Sequence, residues 1–282
     1  MEEQKKQRTP LVQALINFVK GFFIGSSMSA PGVSGGTMAI ILGIYDELIS
    51  SVSSFFKHMK KSLWVLVPTA LGGIIGIVLI AKPLELLITN FKFPMHYLFM
   101  GAIAGSIPMM YGKAKDKKVS LSTFVYLAIG LVIVLGIWLG MGLLPENFFT
   151  LDGNNTLLTY AGLLLAGFVI AVALILPGIS GSSMLVVLGL YEPIIAAINA
   201  FDVLFLIPLA AGVLLGVALT TRFLENAMAK HSKGTYLIIL GFMIGAVIQT
   251  FPGIPTGWNW LICPVLFLVG FFVIKFLCKF ED

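Results

Sequence analysis

The run Ala30-Pro31-Gly32-Val33-Ser34-Gly35-Gly36-Thr37-Met38 sets two hydroxyls among three glycines and a proline, inside a stretch that is otherwise apolar and helical. Pro31 disfavours a helical Ala30 and has no N–H to donate, and the glycines open backbone angles that other residues resist. One helix therefore ends at the motif, and a second is expected to start near Ser34 and run to about Ser51. A helix that starts within a bilayer carries unpaired N–H groups and the positive end of its dipole, and in hydrocarbon those donors need a partner. An oxyanion is the natural one, because glycines let it approach the backbone and the hydroxyls of Ser34 and Thr37 add donors. The plainer role of the same residues is a tight turn capped by its own hydroxyls.

The motif occurs twice. Leu176-Pro177-Gly178-Ile179-Ser180-Gly181-Ser182-Ser183-Met184 lies 146 residues further on, and nine of nineteen positions are identical between residues 31–49 and 177–195. A self-match of that kind marks two copies of one unit. Paired helix breaks at corresponding positions favour a site over a mere turn, so Pro31, Gly32, Ser34, Gly35, Gly36 and Thr37 form the first half of a candidate anion cradle. Pro177, Gly178, Ser180, Gly181, Ser182 and Ser183 form the second, and the two tips are expected to meet at a pseudo-two-fold axis.

The elements that must position these tips are membrane helices. The chain has 282 residues, 58% of them hydrophobic and 11% charged, and a mean hydropathy of +1.01. Its apolar runs approach the ~20 residues a helix needs to cross ~30 Å of hydrocarbon. The expected fold is all-α: a polytopic membrane protein of two inverted-topology repeats, each a broken-helix, re-entrant hairpin followed by three transmembrane helices. The first repeat covers residues 1–143, with a hairpin at 11–51 and spans at 62–80, 94–112 and 121–143. A linker at 144–156 leads to the second repeat, 157–282, with a hairpin at 157–199 and spans at 203–221, 235–251 and 258–277.

Charge placement sets the orientation. Of eighteen basic residues, fifteen fall on one predicted side, with only Lys82 and Lys92 on the other and Lys20 inside a hairpin. The positive-inside rule makes the lysine-rich side, with both termini, cytosolic. It also assigns the net charge of +5 to loops rather than to nucleic acid. With a six-residue shortening in the second copy the repeat extends at an offset of 140, matching Gly72 and Gly76 to Gly212 and Gly216, Gly101 and Gly105 to Gly241 and Gly245, and Lys82 and Glu85 to Arg222 and Glu225. The glycine pairs read as close helix packing, and the Lys82/Glu85 and Arg222/Glu225 pairs as snorkelling ion pairs.

Several other residues stand out. Lys20, inside an apolar hairpin helix, needs an anionic partner or a route to water, and Arg222 on the cytosolic side suits a phosphate. Asp46, Glu47 and Glu192 lie near the ends of the hairpins, where an acid either relays protons or sits at the interface. Cys263 and Cys278 have no metal-ligand spacing with His58, His96 or His231 and read as packing residues, so neither a metal nor another cofactor is expected. The basic, apolar and small residues of the N-terminus resemble a cleavable signal, but the cleavage site would be the motif that recurs at Pro177.

Two Pro-Gly-x-Ser-Gly motifs, the first followed by Leu42-Gly43-Ile44-Tyr45 and the second by Leu188-Gly189-Leu190-Tyr191-Glu192, resemble the bacterial polyprenyl-phosphate transporter family, long catalogued as a membrane domain of unknown function. The resemblance covers nearly the whole chain. It implies return of undecaprenyl phosphate, the lipid carrier of cell-wall precursors, from the outer to the inner leaflet of the cytoplasmic membrane, with the head group at residues 31–37 and 177–183. Asp46 stands where the second copy has Glu192, and Glu47 where it has Pro193, so the acids are not symmetrical. A transporter of a small soluble anion fits the same motifs, and only a lipid-accessible opening between the halves separates the two. An intramembrane lipid-phosphate enzyme would need arginines gathered about a nucleophile, and the chain has two, Arg8 and Arg222. The expected partners are a polyprenyl-phosphate lipid and the bilayer, with a homo-oligomer open and nucleic acid excluded.

Overall fold

The computed structural model describes residues 9–28, 34–114, 120–141, 157–179, 184–185 and 188–278. Pro31, Gly32, Ser180, Gly181, Ser182 and Ser183 lie outside the described residues, as does the whole of the expected linker at 144–156. Every regular element described is helical: α1 (Pro10–Ser27), α2 (Gly35–Ile41), α3 (Tyr45–Ser53), α4 (Met59–Asn90), α5 (Lys92–Lys113), α6 (Leu121–Met141), α7 (Leu157–Ile175), α8 (Tyr191–Asn199), α9 (Val203–Lys230), α10 (Ser232–Thr250) and α11 (Asn259–Cys278). Among these, α4, α6, α9, α10 and α11 are long and apolar enough to cross a bilayer. The protein is a polytopic membrane protein, and its outward-facing leucines, valines and phenylalanines are the surface that hydrocarbon requires.

The helix expected from Ser34 to Ser51 is two helices, α2 and α3, bent by 119°. The break is a Schellman turn at Leu42-Gly43-Ile44. Gly43 takes φ 63°, its N–H donates to the Ile40 carbonyl, and the Ile44 N–H donates to the Ala39 carbonyl. The second copy repeats it: Gly189 has φ 69°, and the Leu190 N–H donates to the Leu185 carbonyl. The shared Leu-Gly-x-Tyr run therefore encodes a second helix break in each hairpin.

Two expected loops are also helical. α4 runs on through residues 81–90 and gives way to α5 at the single residue Phe91, and α9 runs past residue 221 to Lys230. The expected ion pairs at these span ends do not close: among the described residues Lys82, Glu85, Arg222 and Glu225 enter no salt bridge.

Helices meet where glycines let backbones touch. A Cβ at Gly72 would strike the Phe18 carbonyl, and one at Gly212 the Leu164 carbonyl. One at Gly101 would strike the Phe267 carbonyl, and one at Gly241 the Leu127 carbonyl. In the first comparison the hairpin partners stand 146 apart and the glycines 140, and in the second all partners stand 140 apart. α11 thus lies along α5 while α6 lies along α10, so the last helix of each half packs on the other half. That reciprocity is the signature of an isologous contact. α10 is the most enclosed span, with 56% of its apolar window buried against 17–22% for the other four.

Candidate functional site

The site begins where the chain runs out of helix. α7 ends at Ile175, and Pro177 and Gly178 follow in a turn in which Gly178 takes φ 82°. A side chain at Gly178 would meet the Phe242 carbonyl of α10, so only glycine fits both the angle and the space. Across from this turn, Ser34 caps α2 by accepting the Thr37 N–H at 3.1 Å. The Gly178 N–H then donates to Ser34 Oγ at 3.1 Å and to Thr37 Oγ1 at 2.9 Å, and the two hydroxyl oxygens lie 2.9 Å apart. The first motif thus accepts a backbone donor of the second, 144 residues away.

Two further contacts fix this junction. Tyr45 Oη donates to the Ile175 carbonyl at 3.1 Å, satisfying an acceptor that the end of α7 leaves open. A Cβ on Gly36 would lie 2.8 Å from the same carbonyl and 3.3 Å from Pro177 N, so α2 and the end of α7 touch through a glycine. Gly35 is different: its added Cβ would make ordinary contact, 3.6 Å from Met28 Sδ. Ser34 and Thr37 are buried, and their oxygens act here as cap and tie between the copies.

The other candidates divide. Lys20 is half-buried on α1, one turn beyond the fully buried Asn17. Asp46, at the start of α3, takes a salt bridge from Lys113 Nζ at 2.7 Å and a hydrogen bond from Tyr236 Oη of α10 at 3.2 Å. Its other oxygen, Oδ1, is buried with no hydrogen-bond partner. Glu47 and Glu192 are exposed, so the acids of the two copies occupy unlike settings. Arg222 is not among the tip residues; it lines a separate polar cavity with Lys57.

Sequence reasoning passed over Lys113, Tyr236 and the Tyr45 hydroxyl. Lys113 lies one residue past the span expected at 94–112, and only Tyr45, repeated at Tyr191, carried a signal. The surface also holds an apolar cavity of about 740 Å³ between α5 and α11, lined by Gly105, Pro108, Met109, Phe272 and Phe276, with Lys275 beside it. α5 and α11 come from different halves of the chain.

The family described as undecaprenyl phosphate translocase-like matches residues 24–259, a stretch that contains both motifs and the helices α2, α3, α7 and α10. The chain belongs to this family. It is similar to a Staphylococcus aureus protein named polyprenyl-phosphate transporter, 32% identical over 270 residues, covering 92% of this chain and 94% of that one. A Vibrio cholerae protein of the same name is 29% identical over 255 residues, 84% of this chain and 78% of its own. No solved structure gives a significant match.

Proposed function

We propose that this protein carries a polyprenyl phosphate, undecaprenyl phosphate, from the outer to the inner leaflet of the bacterial cytoplasmic membrane, returning the carrier to cell-wall synthesis. The observation that carries this reading is the contact of the two motif copies through Gly178, Ser34 and Thr37. Ser34 and Thr37 of one motif meet Gly178 of the other, at what would be the seam across which inverted-repeat transporters rock. The phosphate binds between them, to N–H groups of Gly35, Gly36, Gly181 and Ser182 and to the hydroxyls of Ser34, Thr37 and Ser180. Ser34 and Thr37 together own two hydroxyl hydrogens, and one suffices for the contact between them. The second is available to an anion, as is the Gly178 N–H once the tie opens.

The apolar cleft between α5 and α11 supports a lipid rather than a soluble anion, since it lies between helices of the two halves and its lining, with the exposed Phe272 and Phe276, is mostly apolar. An isoprenoid tail stays in the cleft while its head group crosses at the tips. The halves are inverted, with both termini cytosolic, and no catalytic step is involved. Asp46, bonded to Lys113 and Tyr236, is the group we assign to proton coupling.

The test is flux in proteoliposomes. Undecaprenyl phosphate should change leaflet at a rate that depends on the protein and on an imposed proton gradient, while inorganic phosphate stays put. Protein-dependent movement of inorganic phosphate with none of the lipid would reassign the chain to a soluble anion.

A further inference from the structure

At the far end of α3 a second cavity, about 400 Å³ and mostly polar, opens between the hairpin exit and α9. Ser53, Ser54 and Lys57 line it from the first half, and Arg222, Glu225 and Asn226 from the second. No residue of either tip takes part. We propose that this cavity is a second binding site, for a phosphate monoester, at the cytosolic mouth of the transporter. The proposal rests on the transport reading above and extends it to the place where the head group is received after crossing.

The lining has the chemistry for it. Arg222 offers a planar fork of donors and Lys57 a second cation, while Asn226 and Ser53 add neutral donors. The Ser54 hydroxyl is committed to the Ser50 carbonyl at 2.7 Å and can only accept. Glu225 lies one helical turn from Arg222, yet neither enters a salt bridge with a described residue, so the guanidinium is left to an outside anion. A phosphate monoester carries between one and two negative charges near neutrality, which two cations match. Glu225 opposes it and sets a ceiling on affinity.

The cavity also sits at the right depth. Phe56 belongs to its wall and is 79% exposed, Phe55 stacks edge-on against it at 5.5 Å, and Lys60 and Lys61 follow in sequence. Aromatic and basic residues together mark the head-group layer of a membrane. The arrangement is one-sided. The offsets of the repeat put Lys82 and Glu85 opposite Arg222 and Glu225, but Asp202 and Val203 opposite Phe56 and Lys57. The second cation is therefore present at one mouth only, while the exposed Phe201 stands opposite Phe55.

Equilibrium binding to the purified full-length protein decides the matter, with farnesyl phosphate, farnesol and inorganic phosphate as probes. The wild type should bind farnesyl phosphate at two sites and farnesol at neither phosphate site. Arg222→Gln and Lys57→Gln should each weaken one site about tenfold, the loss of one charge-assisted hydrogen bond. Glu225→Gln should tighten it, which a merely structural role would not do. Because Arg222 and Lys57 are exposed, an unchanged melting temperature serves as the folding control. Inorganic phosphate binding the Arg222 site more tightly than farnesyl phosphate would identify the source as soluble phosphate, and tighter binding of farnesyl phosphate would identify it as the lipid head group. Unchanged affinity and stoichiometry in the Arg222→Gln, Lys57→Gln double variant would overturn the inference while leaving transport by the tips intact. Arg222-dependent binding in a wild type that moves no polyprenyl phosphate would instead sink the transport reading alone.

Discussion

Gly35 and Gly36 are adjacent in the motif and identical in type, yet the structure gives them different work. Gly36 faces the Ile175 carbonyl at a separation no Cβ tolerates, while Gly35 has ordinary room against Met28. Gly36→Ala should therefore push the tips apart and abolish most polyprenyl-phosphate transport, whereas Gly35→Ala should keep most of it. Flux in proteoliposomes at matched protein content separates them, and equal loss in both would contradict the packing described. Asp46 and Glu192 make a second unequal pair. Asp46 is partnered by Lys113 and Tyr236, and Glu192 is exposed. Asp46→Asn should flatten the pH dependence of transport and Glu192→Gln should leave it largely intact. The cost to stability should be small, under about 1 kcal/mol, because the Asp46–Lys113 pair is partly exposed and screened. Denaturation of the purified variant measures that cost. The sequence marked Asp46 as an acid near a hairpin end but not its partners, since a lysine at position 113 and a tyrosine at position 236 meet only after the halves pack.

At the scale of elements, α4, α6, α9, α10 and α11 fall where hydropathy expects spans but differ from them at their ends, and α5, at the span expected over 94–112, is not among the helices long and apolar enough to cross. α4 has 32 residues, about 48 Å at 1.5 Å per residue, and so outruns the hydrocarbon core. Lys82 and Glu85 ended the apolar run, but charge outside the bilayer does not forbid a helix. Nor did the pattern reveal the bend between α2 and α3. The information was present in Leu42-Gly43-Ile44 and its repeat at Leu188-Gly189-Leu190, because a glycine between apolar residues at a helix end suits a Schellman turn. Gly43→Ala, forced into a left-handed angle, should destabilise the protein by about 1 to 2 kcal/mol, and Gly43→Asn by less. Comparing their thermal midpoints tests this; a midpoint for Gly43→Ala at or above that of the wild type would mean that the bend does not need the glycine.

The whole molecule is organised by exchange: α11 packs on α5, α6 packs on α10, and the glycine contacts recur at the sequence offsets of 146 and 140. Those offsets were readable in the chain, as was the candidate site at the tips. The hydrogen bonds from Gly178 to Ser34 and Thr37 were not readable, because each motif alone is consistent with a self-capped turn. The proposed orientation rests on charge, and a single cysteine placed in turn at Ala200 and Lys60, in a cysteine-free background, tests it. The Ala200 variant should react with an impermeant reagent in intact cells and the Lys60 variant should not; the reverse pattern would invert the proposed topology. The central claim, that the two tips hold one phosphate between them, is tested most directly by an experimental structure of the protein with undecaprenyl phosphate bound. The account predicts phosphate oxygens within hydrogen-bonding distance, about 3 Å, of donors from both motifs, with the Gly178 tie to Ser34 and Thr37 opened or shared. A head group remote from both tips, with that tie closed in every bound state, would contradict it.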